Sequence, residues 1–509
     1  MKYRRITDYL DDTVSRLPEK VAYLDDSREL TFKQIRDEAY RLAYGLLDHG
    51  ISKEPVGVFL DQCVEVVPSI MGCAYSGNFY SILDTEMPQS RSKKILETLR
   101  PSAIITCREK FEIIEGIIEA TELVDVLVLI YEEEQKREVT CDLETGVDTA
   151  KEKVSREDVL FVLFTSGSTG TPKGVMQSHG AMMAEAEWLP TTVQIDEDTV
   201  FVNQAPFYFI MSTLELFQTV LNGCTTCIPP RMAFAFPGMM LEYMIEHKVN
   251  TLYWVPTMLC ILADVGVLDE EELPALRLVM ISGEAMPVKQ LNMWMDAFPN
   301  AVFANEYGPT ELADICAYYI VDRRFNDHES LPIGKAAAHM SLIVLDDDDK
   351  EIAADEEGEL CGIGPSVAYG YINDPKRTAE VFTRNPLSAN VKDKMYRTGD
   401  IVRFNKQNDL VFVARKDDQI KHMGHRIELG EIEAAAGAVA GVARCACVYD
   451  DLNKMIVLFY TGDISKEAVL ERIKDFLSDY MLPKRIERLD ALPLNNNGKI
   501  DKKRLKGTL

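Results

Sequence analysis

Long hydrophobic runs are missing from this chain: no apolar stretch approaches the roughly 20 residues that a membrane helix needs. Lys2, Arg4 and Arg5 stand near the start, yet Asp8, Asp11 and Asp12 come directly after them, so no signal-peptide core forms. A clustered basic excess is also missing. The chain carries 55 Lys and Arg against 82 Asp and Glu, a net charge of −27. Such a balance argues against nucleic acid as a partner, because phosphate backbones demand clustered cations. No tandem repeat or low-complexity linker is present. The eleven cysteines form no repeating framework. Cys224-Thr-Thr-Cys227 has metal or redox spacing, but no second pair or nearby histidine completes a site, and the apolar run to Ile228 reads as a buried strand. These absences predict a cytoplasmic protein with reduced thiols.

What remains is a large α/β protein. At 509 residues the chain is too long for one core. After Leu30-Thr-Phe a helical pattern runs through Leu47, and then strand and helix signals alternate. Val56–Leu60, Ala103–Thr106, Val126–Ile130, Val159–Phe164, Val200–Gln204, Thr226–Ile228, Thr251–Val255 and Leu278–Ile281 are short apolar strands. This rhythm predicts βαβ units, largely parallel sheets with flanking helices, and ligands at the carboxyl ends of strands. From about Pro332 the strands come closer together, which predicts a β-rich subdomain. Within it Asp346–Asp349 reads as a solvated hairpin tip. From Arg415 onward 17 basic residues face 15 acidic ones, whereas the preceding chain has 38 against 67. With its amphipathic helix Lys466–Ser478, this near-neutral tail predicts a small, mobile α+β domain (415–509) joined near Asp417 to a large one (1–414).

One stretch organises the rest. The strand Val159–Phe164 empties into Thr165-Ser166-Gly167-Ser168-Thr169-Gly170-Thr171-Pro172-Lys173-Gly174. Glycines let backbone N–H groups face a common centre, hydroxyls add donors and Lys173 adds a point charge. A polar surface loop has a similar composition; the preceding strand and the lysine point to phosphate. It is not a Walker A loop, because no Gly-Lys-Ser/Thr ends it.

Four further clusters complete a pattern: Gly283-Glu284-Ala285-Met286-Pro287, Asn305-Glu306-Tyr307-Gly308-Pro309-Thr310-Glu311, Tyr396-Arg397-Thr398-Gly399-Asp400, and Asn495-Asn496-Asn497-Gly498-Lys499. Each alone could be a turn. Together they supply an aromatic ring for a base (Tyr307), a carboxylate for Mg²⁺ (Glu311), one for ribose hydroxyls (Asp400), and lysines for phosphate and carboxylate oxygens.

With these motifs in order, the chain resembles the adenylate-forming superfamily of acyl-CoA synthetases, luciferases and adenylation domains of nonribosomal peptide synthesis. It looks closest to stand-alone adenylation domains and D-alanine–carrier-protein ligases. The likeness is strongest from Ala414-Arg415-Lys416-Asp417 through Lys421 and from Gly424 to Glu433, with Ala414 where a glycine is usual. The resemblance implies ATP and Mg²⁺ as cofactors. Thr165, Ser166, Gly167, Ser168, Thr169, Gly170 and Lys173 would hold the β,γ-phosphates, and Glu311 the metal. Gly283, Glu284 and Asn305 would border adenine, on which Tyr307 would stack, Gly308 and Thr310 would also belong to the nucleotide site, and Asp400, assisted by Arg415, would take the ribose. Lys499 would bridge the substrate carboxylate and the α-phosphate, and Asp417 would be the hinge.

By the same resemblance the acyl pocket draws on Phe209, Ile210, Met211, Leu214, Tyr253, Met280, Ser282, Glu306, Asp314 and Ile315. Activators of α-amino acids place an aspartate where this chain has Ile210. A buried ammonium facing isoleucine would lose several kcal/mol. The implied substrate therefore lacks a free α-amino group and carries a β- or more distal amine, a hydroxyl or an aryl group. Glu306 and Asp314 would face it, the alternatives being that Asp314 caps a turn and Glu306 meets solvent. The sequence stops about ten residues past Lys499, so the expected acceptor is a separate phosphopantetheine-bearing carrier protein. An acyl-CoA synthetase using coenzyme A is one rival reading, a D-alanine or amino-acid–carrier-protein ligase another, and a non-catalytic nucleotide-binding relative the last.

Overall fold

The computed structural model describes residues 2–509 except 139, 168–170, 269–272, 327–328, 354–355, 391–392 and 494–499. Among the described residues, two large sheets carry the N-terminal part. A six-stranded sheet runs Leu127–Ile130, Ala103–Thr106, Pro55–Phe59, Phe79–Ile82, Val159–Thr165 and Lys173–Ser178, parallel except for the last pair. A nine-stranded sheet has a parallel centre, Val302–Tyr307, Leu278–Ile281, Thr251–Trp254, Val200–Val202, Thr225–Cys227 and Val21–Leu24, with antiparallel strands at both edges.

Strands covered on both faces read as unbroken apolar runs, and Phe161-Val-Leu-Phe is one. Helices do the covering. Thr31 and Gln34 form a capping box that starts Phe32–Asp48, which buries Ile35, Ala39, Leu42, Ala43 and Leu46. Cys224 and Cys227 are buried around the strand Thr225–Cys227, and burial pushes both thiols up to about 12. They behave as core residues, not as a redox pair.

The expected β-rich part is a five-stranded antiparallel sheet that includes Ser341–Leu345, Glu357–Ile363, Lys394–Phe404 and Leu410–Arg415. Beyond it the hairpin Gln419–His422/His425–Glu428 leads into a three-stranded sheet. Helices Leu429–Gly437 and Lys466–Ile473 pack there around Ile432, Val469, Ile473 and Leu458. The second helix is shorter than its apolar pattern predicts; Leu477 stays buried, but in an irregular segment after the helix. No helix among the described residues is long and apolar enough to cross a membrane.

Candidate functional site

The functional clusters meet at the carboxyl ends of the parallel strands, where α/β sheets place their ligands. Thr165 ends one strand and pairs across to Lys173, so the loop between them is closed at its base. A Cβ on Gly167 would fall 2.1 Å from the Thr171 carbonyl oxygen, so only glycine allows this closure. Among the described residues, Thr165 Oγ1 is buried with no hydrogen-bond partner. Ser168, Thr169 and Gly170 lie outside the described residues.

Glu311 sits in the turn Thr310–Leu312 after the strand Val302–Tyr307 and is fully buried. The Tyr371 hydroxyl donates to its Oε1 at 2.8 Å, and Arg426 Nη1 donates to Oε2 at 2.6 Å. Burial alone would raise its pKa, but Arg426 and Lys173 outweigh burial and hold the carboxyl at about 2. The turn is strained: Ala313 and Asp314 adopt φ of 56° and 74°, a conformation that costs non-glycine residues of order 1 kcal/mol or more each. It also crowds Gly308, where a Cβ would lie 1.7 Å from the Asp314 carbonyl oxygen.

The nucleotide-side residues converge as well. The Tyr307 hydroxyl donates to Asp400 Oδ2, and Arg415 Nη1 donates to Asp400 Oδ1 at 2.8 Å. Arg415 also grips Asp417 with Nε at 2.8 Å and Nη2 at 2.6 Å, tying the ribose candidate to the hinge candidate. Asn305 donates to the Pro332 carbonyl. Gly283 has φ +92° at the end of its strand. Glu284 accepts the N–H and hydroxyl of Thr257, and its other oxygen takes the N–H of Gly424. Its carboxylate is thus engaged by protein groups.

The hairpin Gln419–His422/His425–Glu428 is seated on this site. Ser166 Oγ donates to the Arg426 carbonyl at 2.6 Å and accepts the Glu428 N–H at 3.1 Å. Lys173 pairs with Glu428 at 3.2 Å. Across the hairpin from Arg426, Lys421 places Nζ 5.7 Å from the centre of the Tyr307 ring. Lys421 keeps contact with water although protein crowds it, as a side chain lining a recess does; crowding lowers its pKa. Sequence reasoning gave Lys421, Arg426 and Tyr371 no role. Two of them lie within the stretch from Ala414 to Glu433 that carries the strongest family likeness, but nothing local says that a hairpin reaches back across the chain. Lys499 lies outside the described residues; Lys502 pairs with Asp418 and Glu433.

On the acyl side Ile210, Met211, Leu214, Tyr253, Met280, Ser282 and Ile315 are buried. Phe209 is half-buried, with its ring 4.7 Å from that of His425 in the hairpin. The alternative of a solvent-facing Glu306 is overturned, since Glu306 is buried. Asp314 is buried too, and its carboxylate takes the Tyr253 hydroxyl at 2.9 Å. Glu185 and Glu215, which the sequence reading passed over, are buried acids on which the charge of Asp314 acts, with Glu306 also acting on Glu185.

The donors present fit a nucleoside triphosphate with a phosphate-borne Mg²⁺. That ion takes one or two carboxylates plus phosphate oxygens, and Glu311 supplies one ionised carboxylate. Among the described residues, no group of three or more His, Cys, Asp or Glu side chains is placed so as to hold a metal ion by itself. Arg426 engages one of the two carboxylate oxygens that a metal could take.

Comparison with known proteins agrees. Residues 10–372 match the AMP-binding enzyme family and residues 431–499 the C-terminal domain of AMP-binding enzymes. The chain is 30% identical to zwittermicin A synthase ZmaJ of Bacillus cereus, over 98% of this chain and 94% of that one. It is equally identical to malpinin synthetase of Mortierella alpina, over 98% of this chain but only 6% of that much longer relative. A solved nonribosomal-peptide-synthetase protein containing adenylation and PCP domains superposes with a TM-score of 0.84 at 24% identity, over 100% of this chain and 84% of that one. The chain therefore belongs to the AMP-binding, adenylate-forming enzyme family and is an ATP-dependent ligase close to the adenylation domains of nonribosomal peptide synthesis.

Proposed function

We propose that this enzyme converts a carboxylic acid lacking a free α-amino group into its acyl adenylate, releasing pyrophosphate. It then passes the acyl group to the phosphopantetheine thiol of a separate carrier protein. The observation that carries the reading is the convergence of Ser166, Lys173 and ionised Glu311 at the ends of parallel strands, with Tyr307 and Asp400 beside them.

The chemistry follows from charge. A carboxylate must approach an α-phosphorus that is itself anionic, so the residues' work is positioning and neutralisation. Thr165, Ser166 and Lys173 bind the phosphates, Glu311 holds Mg²⁺, and Mg²⁺ when bound neutralises phosphate charge. Asp400 and Arg415 fix the ribose. Lys499 accompanies the carboxylate in this first step. The thiol needs an approach of its own, so residues 415–509 swing about Asp417 as one unit against residues 1–414. The hairpin contact on Glu311 and Ser166 supports a second arrangement in which Lys421 and Arg426 replace Lys499. We place the enzyme in the cytoplasm on the scatter of its eleven cysteines.

Pyrophosphate release with a panel of acids, followed by acyl transfer to phosphopantetheinylated carrier protein or to coenzyme A, tests both halves. Faster transfer to coenzyme A would move the assignment to an acyl-CoA synthetase. A preference for α-amino acids would refute the argument from Ile210.

A further inference from the structure

Four carboxylates gather behind the strand end that carries Tyr307. Glu306 stands between Asn305 and Tyr307 on that strand, so its side chain leaves the opposite face of the sheet from theirs. Glu306 is 4% exposed, Glu215 2%, and Glu185 and Asp314 1% each. They come from separate elements: Glu185 from the helix His179–Trp188, Glu215 from Ser212–Asn222, and Asp314 from the strained turn. Few donors meet them. Asp314 takes the Tyr253 hydroxyl, Glu185 the Ile315 N–H at 3.4 Å, and Glu215 the Asn203 amide at 2.6 Å. Among the described residues, Glu306 Oε2 and Glu215 Oε1 have no hydrogen-bond partner.

Among the described residues, none of the four forms an ion pair, and the one basic group whose charge acts on the cluster is Lys421, through Asp314. Burial raises the pKa of all four, with Asp314 adding to the rise in the three glutamates. A core built for stability would fill this volume with apolar side chains, which outperform unpaired buried acids. The cluster therefore costs stability, and it sits one residue from the nucleotide wall. A ligand cation would supply the missing partner.

We propose that this cluster seats a protonated amine, so that the acid activated here is an amino acid whose ammonium stands at the β position or beyond. Glu306 and Asp314 contact the ammonium, and Glu185 and Glu215 stand behind them. Ile210, buried and apolar, offers nothing to an ammonium on the α carbon. The inference rests on the adenylation reading and narrows its substrate class.

The test uses the full chain and compares pyrophosphate release, as kcat/KM, across 3-aminopropanoic, 4-aminobutanoic and 5-aminopentanoic acids. Propanoic, butanoic and pentanoic acids are the chain-matched controls, with 2-aminopropanoic acid as the α-amino probe. One distal amino acid should exceed its unaminated control by about 100-fold. Glu306→Gln and Asp314→Asn, which keep shape and remove charge, should each cut that advantage, read as the ratio of kcat/KM for the aminated acid to that for its unaminated control, by about 10-fold or more. Preference for the α-amino or the unaminated acids overturns the inference and leaves adenylation standing. Should no acid release pyrophosphate, the adenylation reading fails, and calorimetric binding of 3-aminopropanoic and 4-aminobutanoic acids decides alone. Binding to the wild-type chain that Glu306→Gln weakens supports the seat; absent or equal binding overturns it.

Discussion

Arg426 Nη1 lies 2.6 Å from Glu311 Oε2, which puts a guanidinium from the hairpin on the buried carboxylate that a metal would need. A guanidinium and Mg²⁺ at one carboxylate repel each other, so each weakens the other's hold on Glu311. The docked hairpin and the metal-loaded site therefore compete, and Arg426→Gln should bias the choice. The variant is expected to reach half-maximal pyrophosphate release at a lower Mg²⁺ concentration than wild type, and to form thioester at least 10-fold more slowly. Mg²⁺ titration and single-turnover transfer read the two effects separately. An unchanged Mg²⁺ requirement would refute the competition.

The buried ion pair between Arg91 and Glu431 links the helix Gln89–Leu99 to the helix Leu429–Gly437, away from Tyr307 and Asp400. Removing one partner of such a pair leaves a buried charge, worth about 3–5 kcal/mol against the docked arrangement. Undocking returns that charge to water. Arg91→Ala should therefore keep pyrophosphate release within about twofold and slow acyl transfer more than 10-fold. Equal loss in both half-reactions would show that the pair merely supports the fold.

Much of this arrangement was legible in the sequence, for physical reasons that also mark where legibility ends. Apolar runs such as Val159–Phe164 announce buried parallel strands, because both faces must be covered. Loop residues such as Gly167 are dictated by backbone closure, so their chemistry stands in the local sequence. Arg426 on Glu311 spans 115 residues, and Ser166 on Arg426 spans 260. No local pattern encodes such pairings. Glu185 was overlooked because its helix has no clear polar face: His179, Met182, Met183, Glu185 and Ala186 are all buried.

Lys499→Ala should cripple the first half-reaction and spare the second. An amine aligned with a developing charge contributes about 100- to 1,000-fold. Pyrophosphate release should fall by that much, while thioester formation from supplied acyl adenylate stays near wild type. Asp417→Pro should do the reverse, because proline fixes φ near −65° and a swing about this residue needs that torsion. Pyrophosphate exchange surviving in Lys499→Ala would refute the role given to the lysine.

Glu215 gives a pH-dependent prediction independent of turnover. Burial raises its pKa to about 8, against the opposing pull of the Asn203 amide. In the unfolded chain it titrates near about 4.3. Between those values the folded protein holds a proton that the unfolded chain has released, so stability falls as pH rises. The contribution is whole below about pH 4.3, declines across the window and is gone above about pH 8. Glu215→Gln keeps an oxygen for Asn203 and has no proton to lose. Its melting temperature should match that of wild type near pH 5 and exceed it at pH 8.5, by about 2–4 °C for each kcal/mol recovered. A difference independent of pH would mean that Glu215 is ionised in the folded protein, paired with a cation.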